Sequence, residues 1–91
     1  MNEDLPSLDF ALRFVDDLLN NRFSAAERSA VKNALALLDE DERHPSLRVH
    51  RLGGDMEGSW TAYVTGSIRV TFGHLPDGGK RLLTLTRHYD D

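Results

Sequence analysis

Along the first forty residues apolar side chains recur at intervals of three and four, and after His44-Pro45 they recur at every second residue. The first spacing lines one face of an α-helix and the second lines one face of a β-strand. After Pro6 and Ser7, the stripe Leu8, Ala11, Leu12, Val15, Leu18 and Leu19 predicts a first helix over about residues 7–20, with Asn20-Asn21 as its stop. Ser24 and Glu27 have the spacing of a capping box, in which each side chain satisfies the other residue's backbone amide. Ala30, Val31, Ala34, Leu35 and Leu38 then predict a second helix over about residues 24–39, running into the acidic stretch Asp39 to Glu42. Two helices joined this closely imply an antiparallel hairpin.

Proline at position 45 cannot continue a helix, and four strands are expected beyond it. They are Ser46 to Leu52, Ser59 to Thr65, Ser67 to Gly73 and Arg81 to His88. In the third, Ile68, Val70 and Phe72 share a face, and in the fourth Leu83 and Leu85 stand opposite Leu82, Thr84, Thr86 and His88. Gly66 marks a tight hairpin, and Pro76-Asp77-Gly78-Gly79 marks the next turn. The expected fold is α+β, an N-terminal helical hairpin packed on a four-stranded antiparallel sheet over about residues 46–88, in one domain spanning residues 1–91.

Composition narrows the classes. A chain of 91 residues supports one core and is too short for two, and 40% hydrophobic with 29% charged residues is globular in character. It has no cysteine, so disulfides and thiolate metal sites are excluded. The acidic start MNEDLPSLD does not read as a targeting segment, no apolar run reaches membrane-spanning length, and a cytoplasmic location is expected. The four histidines form no HxH or HxxxH pair, so neither a metal nor another cofactor is expected. A net charge of -4 argues against a polyanionic partner until its distribution is considered. Through residue 41 there are nine acids against four bases; from residue 42 there are six acids against seven bases, together with all four histidines.

Strand alternation places Arg48, His50, Tyr63, Arg69, Thr71, Thr84, Thr86 and His88 on the sheet face turned away from the helices. Histidines that titrate near neutrality, a tyrosine and planar guanidiniums are the components used in phosphodiester cleavage. The same residue types are equally ordinary on a solvated sheet face. Trp60 shares the parity of Ala62 and Val64, which makes it a core anchor, and Gly53-Gly54 and Gly78-Gly79 are turns outside any phosphate-binding loop pattern.

The run HPSLRVHRLGGDMEGSWTAYVTGSIRVTF, followed by LLTLTRH, resembles the RelE/ParE toxin superfamily over residues 44–89. Members commonly show a stretch like "HPSLR.HKL.G...G.WS..V...YRI.F" and then "LL.IG.H". The resemblance implies a toxin neutralised by a cognate antitoxin protein, with ribosome and mRNA as further partners and no membrane. In the RelE and YafQ branches it implies metal-independent mRNA cleavage, with the ribose 2′-OH attacking the adjacent phosphate. Carried over by position, His50 matches a histidine used in the YafQ branch, Arg69 matches a phosphate-contacting arginine, and His88 stands where a catalytic histidine or arginine follows the last strand. Arg48, Arg51, Tyr63, Arg87 and Tyr89 are the accompanying substrate-binding candidates. Members usually continue as in "HD.VY" and carry glycine where Thr86 stands here. The alternatives are a ParE-like inhibitor of DNA gyrase without nuclease chemistry, or a catalytically impaired protein of this fold that acts by protein binding alone.

Overall fold

A computed structural model describes residues 5–20, 22–53 and 58–87. Its elements run β1 (Leu8–Phe10), α1 (Leu12–Asn20), α2 (Ala25–Glu40), a 3-10 turn (Pro45–Leu47), β2 (His50–Arg51), β3 (Trp60–Tyr63), β4 (Ile68–His74) and β5 (Lys80–Arg87). The sheet has five strands in the order β1-β5-β4-β3-β2. The pairs from β2 to β5 are antiparallel, whereas β1 runs parallel to β5. Sheet and helices enclose one core, with Phe14 from α1, Val31, Leu35 and Leu38 from α2, and Ile68, Val70, Phe72, Leu82 and Leu85 from the sheet.

The expected four-stranded antiparallel sheet is thus corrected to a mixed five-stranded one, and the first helix starts at Leu12. Leu8 fits a helical stripe, but it also alternates with exposed Asp9, and the tertiary partner decides. The amide of Lys80 donates to Ser7 O at 2.8 Å and that of Ala11 donates to Leu82 O at 2.9 Å, so the segment completes the edge of β5. Ser7 is in turn tied to the end of α2, its amide donating to Asp39 Oδ1 at 2.8 Å. Gly79 permits this approach, because a Cβ there would lie 2.8 Å from Ser7 O.

Helix α2 forms as its sequence predicts. Ser24 Oγ accepts the Glu27 amide at 3.1 Å while Glu27 Oε1 accepts the Ser24 amide at 2.9 Å, closing the capping box. The expected strand over residues 46–52 shrinks to two residues. Pro45–Leu47 instead forms a 3-10 turn capped by the His44 ring, and Arg48 at its end takes the left-handed conformation at φ 45°.

Strand β5 departs from simple alternation. Thr71 pairs with Thr84 but Phe72 pairs with Leu82, so Leu83 is an extra residue in a β-bulge. Leu82 and Leu85 are therefore both fully buried and Leu83 is only half-buried, which corrects the predicted pairing of Leu83 with Leu85. The bulge turns the Leu85 amide outward, beyond the reach of β1, and Asp17 of α1 accepts it through Oδ2 at 2.9 Å. Arg13 Nε, one helical turn earlier, holds the other oxygen of Asp17 at 2.9 Å.

Asp17→Ala leaves the Leu85 amide without that acceptor in a water-poor site. Orphaning a buried donor should destabilise the fold by about 2 kcal/mol, measurable as a lower urea midpoint with an unchanged slope.

Candidate functional site

The face of the sheet opposite the helices is built from cross-strand rows. His50, Thr61, Thr71 and Thr84 form one row, and Tyr63, Arg69 and Thr86 form the next. The parity reading had placed His50, Tyr63, Arg69, Thr71, Thr84 and Thr86 together, and the register does so. Thr61 was missed, although its alternation with Tyr63 was the signal that could have placed it. Thr61 and Thr71 are buried at 7% exposure each, so the centre of the face is a floor of small hydroxyls between larger side chains.

His50 is exposed at the edge of the sheet, and its Nδ1 lies 3.0 Å from Arg48 O. A carbonyl only accepts, so Nδ1 carries the hydrogen and the neutral ring presents Nε2 as a proton acceptor. Arg69 donates from Nη1 to the hairpin carbonyls of Thr65 at 2.6 Å and Ile68 at 3.1 Å. Its guanidinium carbon is 3.9 Å from the centre of the Tyr63 ring, and that of Arg48 is 4.9 Å from the same ring. The left-handed backbone of Arg48 lets it join this group from outside the regular ladder. No described carboxylate pairs with Arg48, Arg51 or Arg69. Two strands and one row separate His50 from Arg69, a Cα distance of about 12 Å from ordinary sheet spacing.

Two predicted substrate-binding cations are not brought to this face. Arg51 lies beside Trp60 on the other side of the sheet, its guanidinium 5.7 Å from the Trp60 ring, because it alternates with His50. Arg87 also faces the helices. It grips Glu27 of α2 through both terminal nitrogens, at 2.6 and 3.2 Å, with its guanidinium 5.0 Å from the Phe23 ring. His88 and Tyr89, the expected terminal groups, lie outside the described residues.

The two remaining described histidines lie elsewhere. His44 caps the 3-10 turn, and His74 Nε2 meets both oxygens of Glu42 at 2.9 Å with its ring edge-on to Trp60 and Phe72. No pattern in the sequence links Glu42 to His74, since the contact exists only once the chain has folded. Among the described residues no group of three or more histidines and carboxylates could hold a metal ion. A concavity of about 790 Å³ lies at the opposite edge along β1 and is lined by Leu8, Phe10, Leu75 and the carboxylates of Asp9 and Asp77. It presents no cation, so an anionic ligand is better matched by the face carrying Arg48 and Arg69. No described helix is long and apolar enough to cross a membrane.

No family model and no curated protein matches the chain. Solved structures do. YafQ from E. coli superposes with a TM-score of 0.71 at 18% identity, covering 88% of this chain and 90% of that one. A YoeB/ParE toxin from Agrobacterium tumefaciens gives 0.66 at 23% identity, covering 90% and 98%. The YoeB-YefM complex from Staphylococcus aureus gives 0.62 at 14% identity, covering 90% and 95%. The chain has the α+β fold of RelE/ParE-type toxins, with two helices and a mixed five-stranded sheet.

The Glu27–Arg87 pair has a pH signature. Chiefly through the Arg87 hydrogen bond, and then through the Ser24 amide, the Glu27 carboxyl is pushed down to about 2. A depressed carboxyl contributes stability that is present above its unfolded range and lost as pH falls through its folded value. Between about pH 4.5 and pH 2 the wild type should lose stability more steeply than Glu27→Gln, which keeps a capping acceptor; urea midpoints across that window measure the difference.

Proposed function

We propose that this protein is the toxin of a toxin-antitoxin module and cleaves mRNA on the ribosome, acting in the cytoplasm. The observation that carries the reading is the His50 ring, held by Arg48 O with Nε2 presented, on the same face as the Arg69 guanidinium. The fold supports it, because chains that superpose on this one include a YoeB/ParE toxin and chains solved as DinJ-YafQ and YoeB-YefM complexes. An antitoxin protein is therefore the partner proposed here.

In the proposed reaction His50 Nε2 takes the proton of a ribose 2′-OH as that oxygen bonds to the adjacent phosphorus. Arg69 offsets the added negative charge on the phosphoryl oxygens, and Arg48 extends the same cationic patch. The bond from phosphorus to the 5′-oxygen breaks, leaving a 2′,3′-cyclic phosphate. The departing oxygen needs a proton, and His88 is the proposed donor. Thr61, Thr71 and Thr84 supply hydroxyls along the path between the two ends. No metal takes part, since general acid-base transfer and guanidinium charge suffice for this chemistry.

The test is induction in a bacterial host together with cleavage of a ribosome-bound message by the purified protein. His50→Ala and Arg69→Ala should each lower cleavage about a hundredfold or more. Undiminished toxicity in the double variant would end the nuclease reading. Inhibition of gyrase supercoiling by the same preparation would replace it with the ParE-like one.

A further inference from the structure

We infer that Tyr63 is a positioning residue, its ring seating the Arg48 and Arg69 guanidiniums as one phosphate-binding unit. The inference rests on the proposal that RNA lies on this sheet face, and it specifies which part of the RNA is held there. Three observations carry it. Both guanidinium carbons lie within cation–π distance of the same ring, at 4.9 and 3.9 Å. Arg69 and Tyr63 are direct cross-strand partners, so the sheet register itself sets that contact. Arg48 reaches the ring from a left-handed backbone conformation that is unfavourable for a side chain other than glycine, and such strain is retained where the surroundings impose it.

The ring is therefore engaged by cations and is not the open platform that base stacking requires. The Tyr63 hydroxyl lies over the β3–β4 hairpin, 3.8 Å from where a Cβ of Gly66 would stand. Neither guanidinium pairs with a described carboxylate. Two cations held side by side with no described counterion are matched by an external anion. The ligand chemistry that fits is the phosphate backbone of single-stranded RNA, whose bases play no part in this contact.

The experiment measures binding of a fluorescein-labelled twelve-nucleotide oligouridine by anisotropy over a range of KCl concentrations. Inorganic polyphosphate, which carries phosphates and no bases, serves as competitor. Tyr63→Phe keeps a ring for the cations and should stay within about twofold of wild type. Tyr63→Leu should weaken RNA binding about tenfold and lower the salt slope by about 0.7, the loss of one phosphate contact on a single strand. It should weaken competition by polyphosphate in parallel. Arg48→Gln should do the same, and the double variant should be no worse than Tyr63→Leu alone, because both changes break the same unit of Arg48 and Arg69 on the ring. Lys32→Ala on α2 removes a charge elsewhere and should leave binding unchanged. Urea unfolding checks that each variant is folded, and Arg48→Gln, at an exposed position, tests the unit even if Tyr63→Leu is not. Additive losses, or a Tyr63→Leu effect seen with RNA and absent with polyphosphate, would overturn the inference while leaving RNA binding intact. Failure of the wild type to bind RNA would overturn the inference, whereas the proposed function falls only if the ribosome-bound message is left uncut.

Discussion

A carboxylate seals the edge of this sheet. Strand β1 covers β5 only along Leu8 to Phe10, and beyond that point β5 would present open backbone donors to solvent or to another chain. Asp17 meets that need by accepting the Leu85 amide, while Arg13 holds its second oxygen and fixes the rotamer. Helix α1 thus continues the edge that β1 begins. Its position follows from that bond and from Phe14, which is 1% exposed in the core. Leu12 and Leu19 are left largely in solvent at 79% and 73%, because α1 sits at the margin of the sheet.

The same bond bears on the opposite face. Leu85 points its amide at α1 only because Leu83 is bulged, and the bulge is what brings Thr84 level with Thr71 and Thr61. In an unbulged strand running from the Thr71–Thr84 pair, Leu83 would face Phe72 and Leu82 would turn to the open face. The core would then lose a fully buried leucine, and the hydroxyl floor would gain an apolar side chain. Packing on one face and polarity on the other are therefore set by a single insertion in one strand.

Much of this was legible along the chain, and the failures have physical causes. Ser24 with Glu27 marks α2 correctly because a capping box is a local interaction, complete within four residues. Ile68, Val70 and Phe72 mark β4 because one face is buried along its length. Leu8 misleads because its strand exists only by pairing with residues some seventy positions away. Leu82 and Leu85 mislead because a bulge leaves no trace in hydrophobic alternation except a pair three apart, which reads equally as nearly one helical turn. On the site face, parity recovers His50, Tyr63 and Arg69. It offers nothing about which cation is consumed internally, so Arg51 and Arg87 stand with the rest until the fold separates them.

That separation explains how an acidic chain presents a cationic face. Several carboxylates are committed to neighbours away from the site: Asp17 to Arg13, Asp9 to Arg81, Glu27 to Arg87 and Glu42 to His74. The exposed pair of Asp9 and Arg81 adds little stability, yet these pairs together decide which cations remain. Around the Tyr63 ring, Arg48 and Arg69 keep their charge without a described counterion, and the nearest partners of Arg69 are backbone carbonyls that leave it undiminished. Charges farther than about 8 Å are screened at physiological ionic strength, so the acids of the helices scarcely weaken the potential above the open face. A phosphate approaching that face meets two oriented guanidiniums and a histidine, whatever the sign of the chain as a whole.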